Sequence, residues 1–218
     1  LRWIKEHEPE IFDKIDKIML PGDFLAMKLT GVISTSVSGL SEGIFWDFTT
    51  NTVSDKLLNY YEIPENKIPQ VNSTFSNQGK ILSSVAEELG ISSDAIVSYR
   101  AGDQPNNAFS LNVLNAGEVA ANAGTSGVVY GVIDENNFDK YSRVNQFAHV
   151  NYMNDSIKLG VLLCINGTGI LNSWIRKNFA SGLSYSEMNE SAKSIPIESN
   201  GVVVIQFGNG VERVLHNK

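Results

Sequence analysis

Two short turns in the middle of the chain carry residue types that could do phosphoryl-transfer chemistry. Asp103 follows a glycine in the run Ala-Gly-Asp-Gln at residues 101–104. A carboxylate in such a turn can accept the proton of a hydroxyl group that attacks phosphorus. The second turn, Gly124–Gly127, reads Gly-Thr-Ser-Gly and offers backbone N–H groups and two hydroxyls without bulky side chains, which suits a phosphate group. Together the turns predict an acid and a phosphate cradle.

Each turn also has an ordinary structural interpretation. Asp103 could simply cap the helix expected after it, which is the commoner use of Asp in that position. The turn Gly124–Gly127 could be an ordinary glycine-rich hairpin turn, which is common, and it is not a P-loop, because the Lys of that signature is missing. A third small-residue turn, Asn166–Gly169, precedes a predicted helix and suits either an anion or a helix cap. Gln104 and Asn107 offer donors and acceptors suited to sugar hydroxyls.

Composition excludes several classes of protein. The chain has 218 residues, of which 42% are hydrophobic and 19% charged, which fits a soluble globular protein of one or two domains. We expect no membrane span, because no apolar run approaches about 20 residues, and no signal peptide. A net charge of −7 without a Lys/Arg cluster argues against a nucleic-acid partner. The single Cys excludes an internal disulfide and predicts a cytoplasmic location, and three scattered His make no zinc pattern.

The periodicity of apolar residues predicts an α/β protein. Helices are expected over residues 9–19, 24–29, 55–61, 83–89, 106–114, 169–179 and 185–194, and strands over 96–99, 118–123, 128–133, 144–150, 159–165 and 202–207. Asp23 and Ser54 are the predicted N-caps of two helices, and the small polar run 34–39 is predicted to be a loop. A shift in composition near residues 115–117 predicts a boundary between domains at 1–114 and 115–218.

Several segments, in order along the chain, resemble the FGGY family of carbohydrate kinases, with the xylulose kinase group as the best match within it. The matching segments are Leu20–Gly31, Gly102–Gln104, Gly124–Val128, Phe147–Val150, Gly169–Trp174 and Gly210–Arg213. No one of these motifs is decisive, but their common order along nearly the whole chain is specific. The resemblance implies an actin/hexokinase/RNase H-like fold of two domains, with sugar and ATP bound in the cleft between them.

The resemblance also implies roles for individual residues. Asp103 would be the general base that takes the proton from the sugar hydroxyl, and Gln104 would lie near the sugar. Residues 124, 125 and 126 (Gly124, Thr125 and Ser126) would hold the phosphates of ATP, and Gly169 would lie near the nucleotide. Mg²⁺ would bridge the phosphates. The implied reaction is ATP-dependent phosphorylation of a sugar, D-xylulose above all, to the 5-phosphate.

The chain departs from the family's pattern in several places. The family's opening segment, with its Asp-x-Gly-Thr hairpin, and the later half of its second domain are not in this sequence. We therefore expect residues 1–114 to be the back part of the sugar-binding domain and 115–218 the front part of the ATP-binding domain, inactive alone. Ser36 stands where the family often has Asp, and Ser173 where many members have Gln.

The identity of the substrate is open at this stage. Gluconate, ribulose and glycerol are alternative substrates within the same family. A non-catalytic module that binds sugar or nucleotide is the alternative from another class of function, because a fold does not fix an activity. The expected partners are sugar and ATP, with no nucleic acid and no membrane, and a homodimer is left open.

Overall fold

The structure is a computed structural model that describes residues 1–204 of the chain. These residues divide into two compact units, each described by itself. Unit 1 comprises Leu1–Glu118, Val132–Asn137 and Gln146–Gly160. Unit 2 comprises Val119–Gly131, Phe138–Asn145 and the described residues from Val161 on.

Short helices make up most of the regular structure of unit 1. They are α1 (Arg2–His7), α2 (Pro9–Lys14), α3 (Pro21–Thr30), α4 (Val37–Glu42), α5 (Asp55–Tyr61), α6 (Ser83–Leu89) and α7 (Asp103–Ser110), with a 3₁₀ turn at Glu65–Lys67. The hydroxyl of Ser54 accepts the backbone N–H of Leu57 and begins α5, as predicted. Gly90 ends α6 in the left-handed conformation that glycine adopts without strain.

Apolar side chains of α2, α4, α5 and the segment after α5 form one core cluster of unit 1. The side chains of Phe12, Leu40, Leu58, Ile63 and Ile68 are buried together. Removing this apolar surface from water is the main term that stabilises the arrangement. Because α4 contributes Leu40 to this cluster, its last residues are held against the body of the unit.

The strands of residues 1–204 form three small sheets. Strand β1 (Ser34–Ser36) pairs in parallel with β4 (Gln70–Asn72), and β2 (Trp46–Asp47) pairs antiparallel with β3 (Thr52–Val53). The largest sheet has the order β5-β6-β8-β7, with β5 (Val119–Ala123), β6 (Gly127–Ile133), β7 (Asn145–Ala148) and β8 (Leu159–Ile165). Strands β5 and β6 are antiparallel, and Ala123 pairs with Gly127 across their turn. This confirms the hairpin predicted around the second turn.

Unit 2 carries two helices within the described residues. They are α8 (Gly169–Phe179) and α9 (Tyr185–Lys193), followed by a 3₁₀ turn at Ser199–Gly201. Ser184 caps α9 reciprocally with Glu187, because each side chain accepts the other residue's backbone N–H. None of the helices in residues 1–204 is long and apolar enough to cross a membrane.

Two predictions near the first turn are wrong. The run 34–39 is strand β1 followed by helix α4 rather than a loop, because the Ser36 hydroxyl accepts the N–H of Gly39 and begins the helix. Residues 96–99 are not a buried strand. They are exposed or half-buried, and they pair with the segment that contains Phe75 and Lys80 through isolated bridges and backbone hydrogen bonds rather than a continuous ladder. That segment includes Gly79 with φ of +131°, a conformation that interrupts a regular ladder.

Helix boundaries also differ from the predictions. The helix expected over 9–19 ends at Lys14. Helix α3 begins at Pro21, a favoured first helical residue, so Asp23 is its third residue rather than its N-cap. Helix α7 begins at Asp103 and ends at Ser110, shortly before Asn112 with φ of +58°. The strand expected over 202–207 and the motif at 210–213 lie partly or wholly outside the described residues.

Candidate functional site

The first predicted turn opens onto a cavity in unit 1. Its volume is about 490 Å³, and its lining includes Asp103, Gly102, Arg100, Glu42 and Asp23. Four of these five residues carry ionisable side chains, which come from α3, α4, α7 and the segment before α7. A cavity of this volume, with a few ionisable groups in its lining, suits a small molecule that makes several hydrogen bonds.

Asp103 is the first residue of α7. The N-cap position belongs to Gly102, which has no side chain to cap the helix, so Asp103 does not occupy the capping position that the alternative interpretation required. The Asp103 side chain is exposed, and the amide of Gln104 donates to its Oδ2 at 3.4 Å. The carboxylate is thus available to a molecule in the cavity.

Gln104 and Asn107 lie on the same helix but do not line this cavity. Gln104 is half-buried, and Asn107 is exposed one turn beyond Asp103. Residues four apart on a helix share a face, so Asp103 and Asn107 belong to one face of α7.

A buried ion pair lies beside the acid. Arg100 Nε is 3.1 Å from Asp23 Oδ1, and the two side chains are only 9% and 5% exposed. The Thr35 hydroxyl donates to Asp23 Oδ2 at 2.8 Å, and Arg100 Nη2 donates to the Ser34 hydroxyl at 2.8 Å. Burial lowers the pKa of Arg100, and the charge of Asp23 opposes that shift. The network ties the segment before Asp103 to α3 and β1.

Glu42 is a member of the site that the sequence analysis missed. It is the last residue of α4, and burial together with the nearby Asp103 charge raises its pKa from 4.5 to about 7. The sequence did hold one signal, because Glu42 is the only charged residue between Lys28 and Asp47. A lone acid in an otherwise uncharged stretch has no neighbouring partner and is therefore a candidate for a special environment.

The second predicted turn is joined to the start of α8 within unit 2. The backbone N–H groups of Gly169 and Ile170 donate to the carbonyls of Gly124 and Thr125, at 2.9 and 3.2 Å. A Cβ placed on Gly169 would overlap the carbonyl oxygen of Gly124, so only glycine permits this approach. Two N–H groups at the helix N-terminus, which a free helix would offer to an anion, are therefore used by the hairpin.

The two hydroxyl-bearing residues of the hairpin differ in their exposure to solvent. Thr125 is exposed, and Ser126 is half-buried. A Cβ on Gly127 would lie 2.6 Å from the Thr168 hydroxyl oxygen, so this glycine also permits close packing against the residue before α8. The structure thus brings Gly124 and Thr125 together with Gly169 through backbone hydrogen bonds and close packing.

Residues 1–204 contain no group of three or more His, Cys, Asp or Glu side chains that could hold a metal ion. His149 is fully buried, and its Nε2 donates to the carbonyl of Val113 at 2.9 Å. Burial lowers the pKa of His149. Cys164 is exposed in β8.

Comparison with known proteins adds the following. The family described as "FGGY family of carbohydrate kinases, N-terminal domain" matches residues 1–110. Xylulose kinase of Bacillus subtilis (strain 168) is 28% identical over 98% of this chain and 42% of its own length. Xylulose kinase of Staphylococcus epidermidis (strain ATCC 12228) is 30% identical over the same shares. The chain thus spans about two fifths of the length of these curated relatives.

Solved structures show the same fold. Ligand-bound xylulose kinase from Lactobacillus acidophilus superposes with a TM-score of 0.88 at 20% identity, over 96% of this chain and 42% of that one. Gluconate kinase from Lactobacillus acidophilus gives a TM-score of 0.89 at 20% identity, over 97% of this chain and 42% of the other. The fold is therefore that of the actin/hexokinase-like sugar kinases, as the sequence predicted.

Proposed function

The chain belongs to the FGGY family of carbohydrate kinases, and from that premise we propose that the intact protein phosphorylates D-xylulose with ATP. The observation that carries the proposal is the cavity of unit 1, in which an exposed carboxylate, Asp103, faces the same space as the buried Arg100–Asp23 ion pair and the carboxyl group of Glu42. Relatives named xylulose kinase that align over nearly the whole chain support this choice of sugar.

Asp103 is the proposed general base. As the sugar hydroxyl oxygen forms a bond to the γ-phosphorus, its proton passes to the Asp103 carboxylate, and the bond from phosphorus to the bridging oxygen of ADP breaks. ADP leaves with the bonding electron pair, and Asp103 later returns its proton to solvent. Because α7 and the buried Arg100–Asp23 pair fix the backbone on either side of Asp103, the carboxylate is held ready for this transfer.

The proposed sugar contacts on α7 are Gln104 and Asn107. Both side chains carry donors and acceptors, and Asn107 lies on the same helical face as Asp103. They would extend the acceptor site beyond the cavity itself.

The hairpin at Gly124, Thr125 and Ser126, together with Gly169, is the proposed binding element for the phosphates of ATP. Its hydrogen bonds to the start of α8 support this role, because they restrict the conformations of the turn before any ligand arrives. ATP is bound in kinases as a magnesium complex that neutralises phosphate charge.

We also propose the domain assignment and location. Residues 1–114 would be the later part of the sugar-binding domain and 115–218 the first part of the ATP-binding domain, supported by the match of the N-terminal family domain to residues 1–110. A single, exposed cysteine supports a cytoplasmic location, where thiols stay reduced.

The test is a panel of acceptors given to the intact protein with ATP and MgCl₂, with ADP release measured. We expect turnover to be highest with D-xylulose, lower with D-ribulose, and lowest with D-gluconate and glycerol. A gluconate kinase shares this fold, so D-gluconate is the relevant competing acceptor. A preference for D-gluconate would refute D-xylulose as the substrate but leave the assignment as a kinase in place. Sugar binding without any ADP release would instead support a non-catalytic module.

A further inference from the structure

Glu42 shares the acceptor cavity with Asp103 but has no part in the chemistry proposed above. Its carboxyl group lies directly against Gly102, the residue that precedes Asp103, so closely that a Cβ on Gly102 would overlap the carboxyl atoms. Because Glu42 and Asp103 both line this cavity, one ligand in it can contact both carboxyl groups.

The position of Glu42 is fixed by the helix that carries it. The Ser36 hydroxyl caps α4 at Gly39, and the Ser41 hydroxyl donates to the carbonyl of Ser38 and accepts the backbone N–H of Ala148. Ser41 is itself buried. Because Ser41 precedes Glu42 directly, this bonding holds the end of α4, and Glu42 with it, in place.

Three polar atoms on this wall are buried and make no hydrogen bond to the residues that the structure describes. They are Glu42 Oε1, Arg100 Nη1 and Arg100 Nε, the last of which is ion-paired with Asp23. Arg100 is otherwise held by Asp23 and Ser34, so its remaining nitrogen is fixed in place as a donor. Buried polar atoms normally have a partner, and a polar ligand in the cavity can supply it.

The charges around the cavity disfavour an anionic ligand. Arg100 is neutralised by Asp23, which leaves Asp103 and Glu42 as the groups without a counter-charge in the lining. Burial raises the pKa of Glu42 to about 7, so near neutral pH its carboxyl is partly protonated and can either donate or accept a hydrogen bond. At higher pH the ionised Glu42 carboxylate adds a second uncompensated negative charge to the cavity.

We propose that Glu42 is a specificity-determining residue of the acceptor site, where its carboxyl group hydrogen-bonds a hydroxyl of an uncharged sugar and disfavours sugars that carry a carboxylate. This inference rests on the proposed function and extends it, because it names the group by which the site would discriminate uncharged ketoses from sugar acids. Arg100 Nη1 provides the second hydrogen bond on the same wall.

The test compares Glu42→Ala, Glu42→Gln and a matched control, Glu88→Gln, in the intact protein. Glu88 is exposed on α6, away from the cavity. For the best uncharged sugar of the panel, we expect Glu42→Ala to raise KM roughly ten-fold, as the loss of one hydrogen bond does, with kcat changed far less. Glu42→Gln keeps a hydrogen-bonding group and should raise KM less, and Glu88→Gln should leave it unchanged.

The preference between acceptors, measured as a function of pH, distinguishes a role in specificity from a purely structural role, which would leave that preference unchanged. Between pH 6 and pH 8.5 the wild-type KM for D-gluconate should rise, because Glu42 becomes charged, and in Glu42→Gln this rise should be absent. Sugar affinity without ATP, measured by calorimetry, should fall in Glu42→Ala in parallel with KM.

The outcomes separate this inference from the proposed function. If the wild-type protein phosphorylates a neutral sugar but all three variants match it in KM, affinity and acceptor preference, Glu42 has no such role and the kinase assignment stands. If the wild-type protein prefers gluconate, the inference is wrong while the kinase activity remains. If it binds and phosphorylates no sugar, the proposed function fails and the inference with it.

Discussion

Among single residues, Glu42 couples the stability of unit 1 to pH. Its pKa is raised from 4.5 to about 7 by burial and by the Asp103 charge, so the folded state holds this proton more tightly than the unfolded state does. The contribution of protonated Glu42 to the free energy of unfolding is therefore fully present below about pH 4.5, and it is lost as pH rises through 7.

Replacing Glu42 by Gln removes this titration. We expect the melting temperature of Glu42→Gln, relative to wild type, to increase between pH 5 and pH 8.5, since only the wild-type protein loses stability over that range. Differential scanning fluorimetry at a series of pH values measures this difference. A difference that stays constant with pH would contradict the assigned environment of Glu42.

At the scale of elements, the hairpin and α8 act as one piece. Gly169 has no space for a Cβ because the backbone carbonyl of Gly124 occupies it, and a backbone atom cannot rotate away as a side chain can. Helix propensity alone predicts that Gly169→Ala stabilises the helix by up to about 1 kcal/mol. The packing predicts the opposite sign.

We expect Gly169→Ala to displace the hairpin and so to lower the melting temperature and raise KM for ATP several-fold, with little change in sugar affinity. Gly182→Ala is the control, since nothing lies within 4 Å of a Cβ at that position. Steady-state kinetics with ATP varied at saturating sugar measures the effect. If both variants behave like wild type, the glycine is not needed for this contact.

Elements with local signals could be predicted from the sequence. Helices α5 and α9 were found because Ser54 and Ser184 begin them with capping hydrogen bonds that depend only on nearby residues. Helix α4 was missed, although Ser36 caps it in the same way, because the run of Ser and Gly that follows has low helix propensity. Tertiary contacts add what the cap does not supply: Leu40 lies in the core, and Ser41 accepts the N–H of Ala148, far away in the sequence.

The candidate site could likewise be predicted only where its residues lie in recognisable local motifs. Asp103 and the hairpin glycines stand in turns whose residue types suggest their chemistry, and the resemblance to a family added their roles. Glu42 belongs to no such motif. It reaches the cavity because Gly102 leaves room for its carboxyl group, and that contact joins residues 60 positions apart.

At the scale of the whole molecule, the chain carries a carboxylate site in unit 1 and a glycine hairpin in unit 2, within about two fifths of the length of its curated relatives. The chain carries a net charge of −7. Backbone groups of a fixed turn are therefore the proposed means of holding phosphate here, rather than a cluster of basic side chains.

The measurement that tests the central claim is turnover of the intact Asp103→Asn variant beside Asp13→Asn, a control on the exposed surface of α2. If Asp103 is the general base, kcat falls by roughly 10²- to 10⁴-fold while sugar affinity, measured without ATP, changes little. The control should match wild type in both. Turnover by Asp103→Asn within a few-fold of wild type on every accepted sugar would contradict the account, and Asp103 would then only begin its helix.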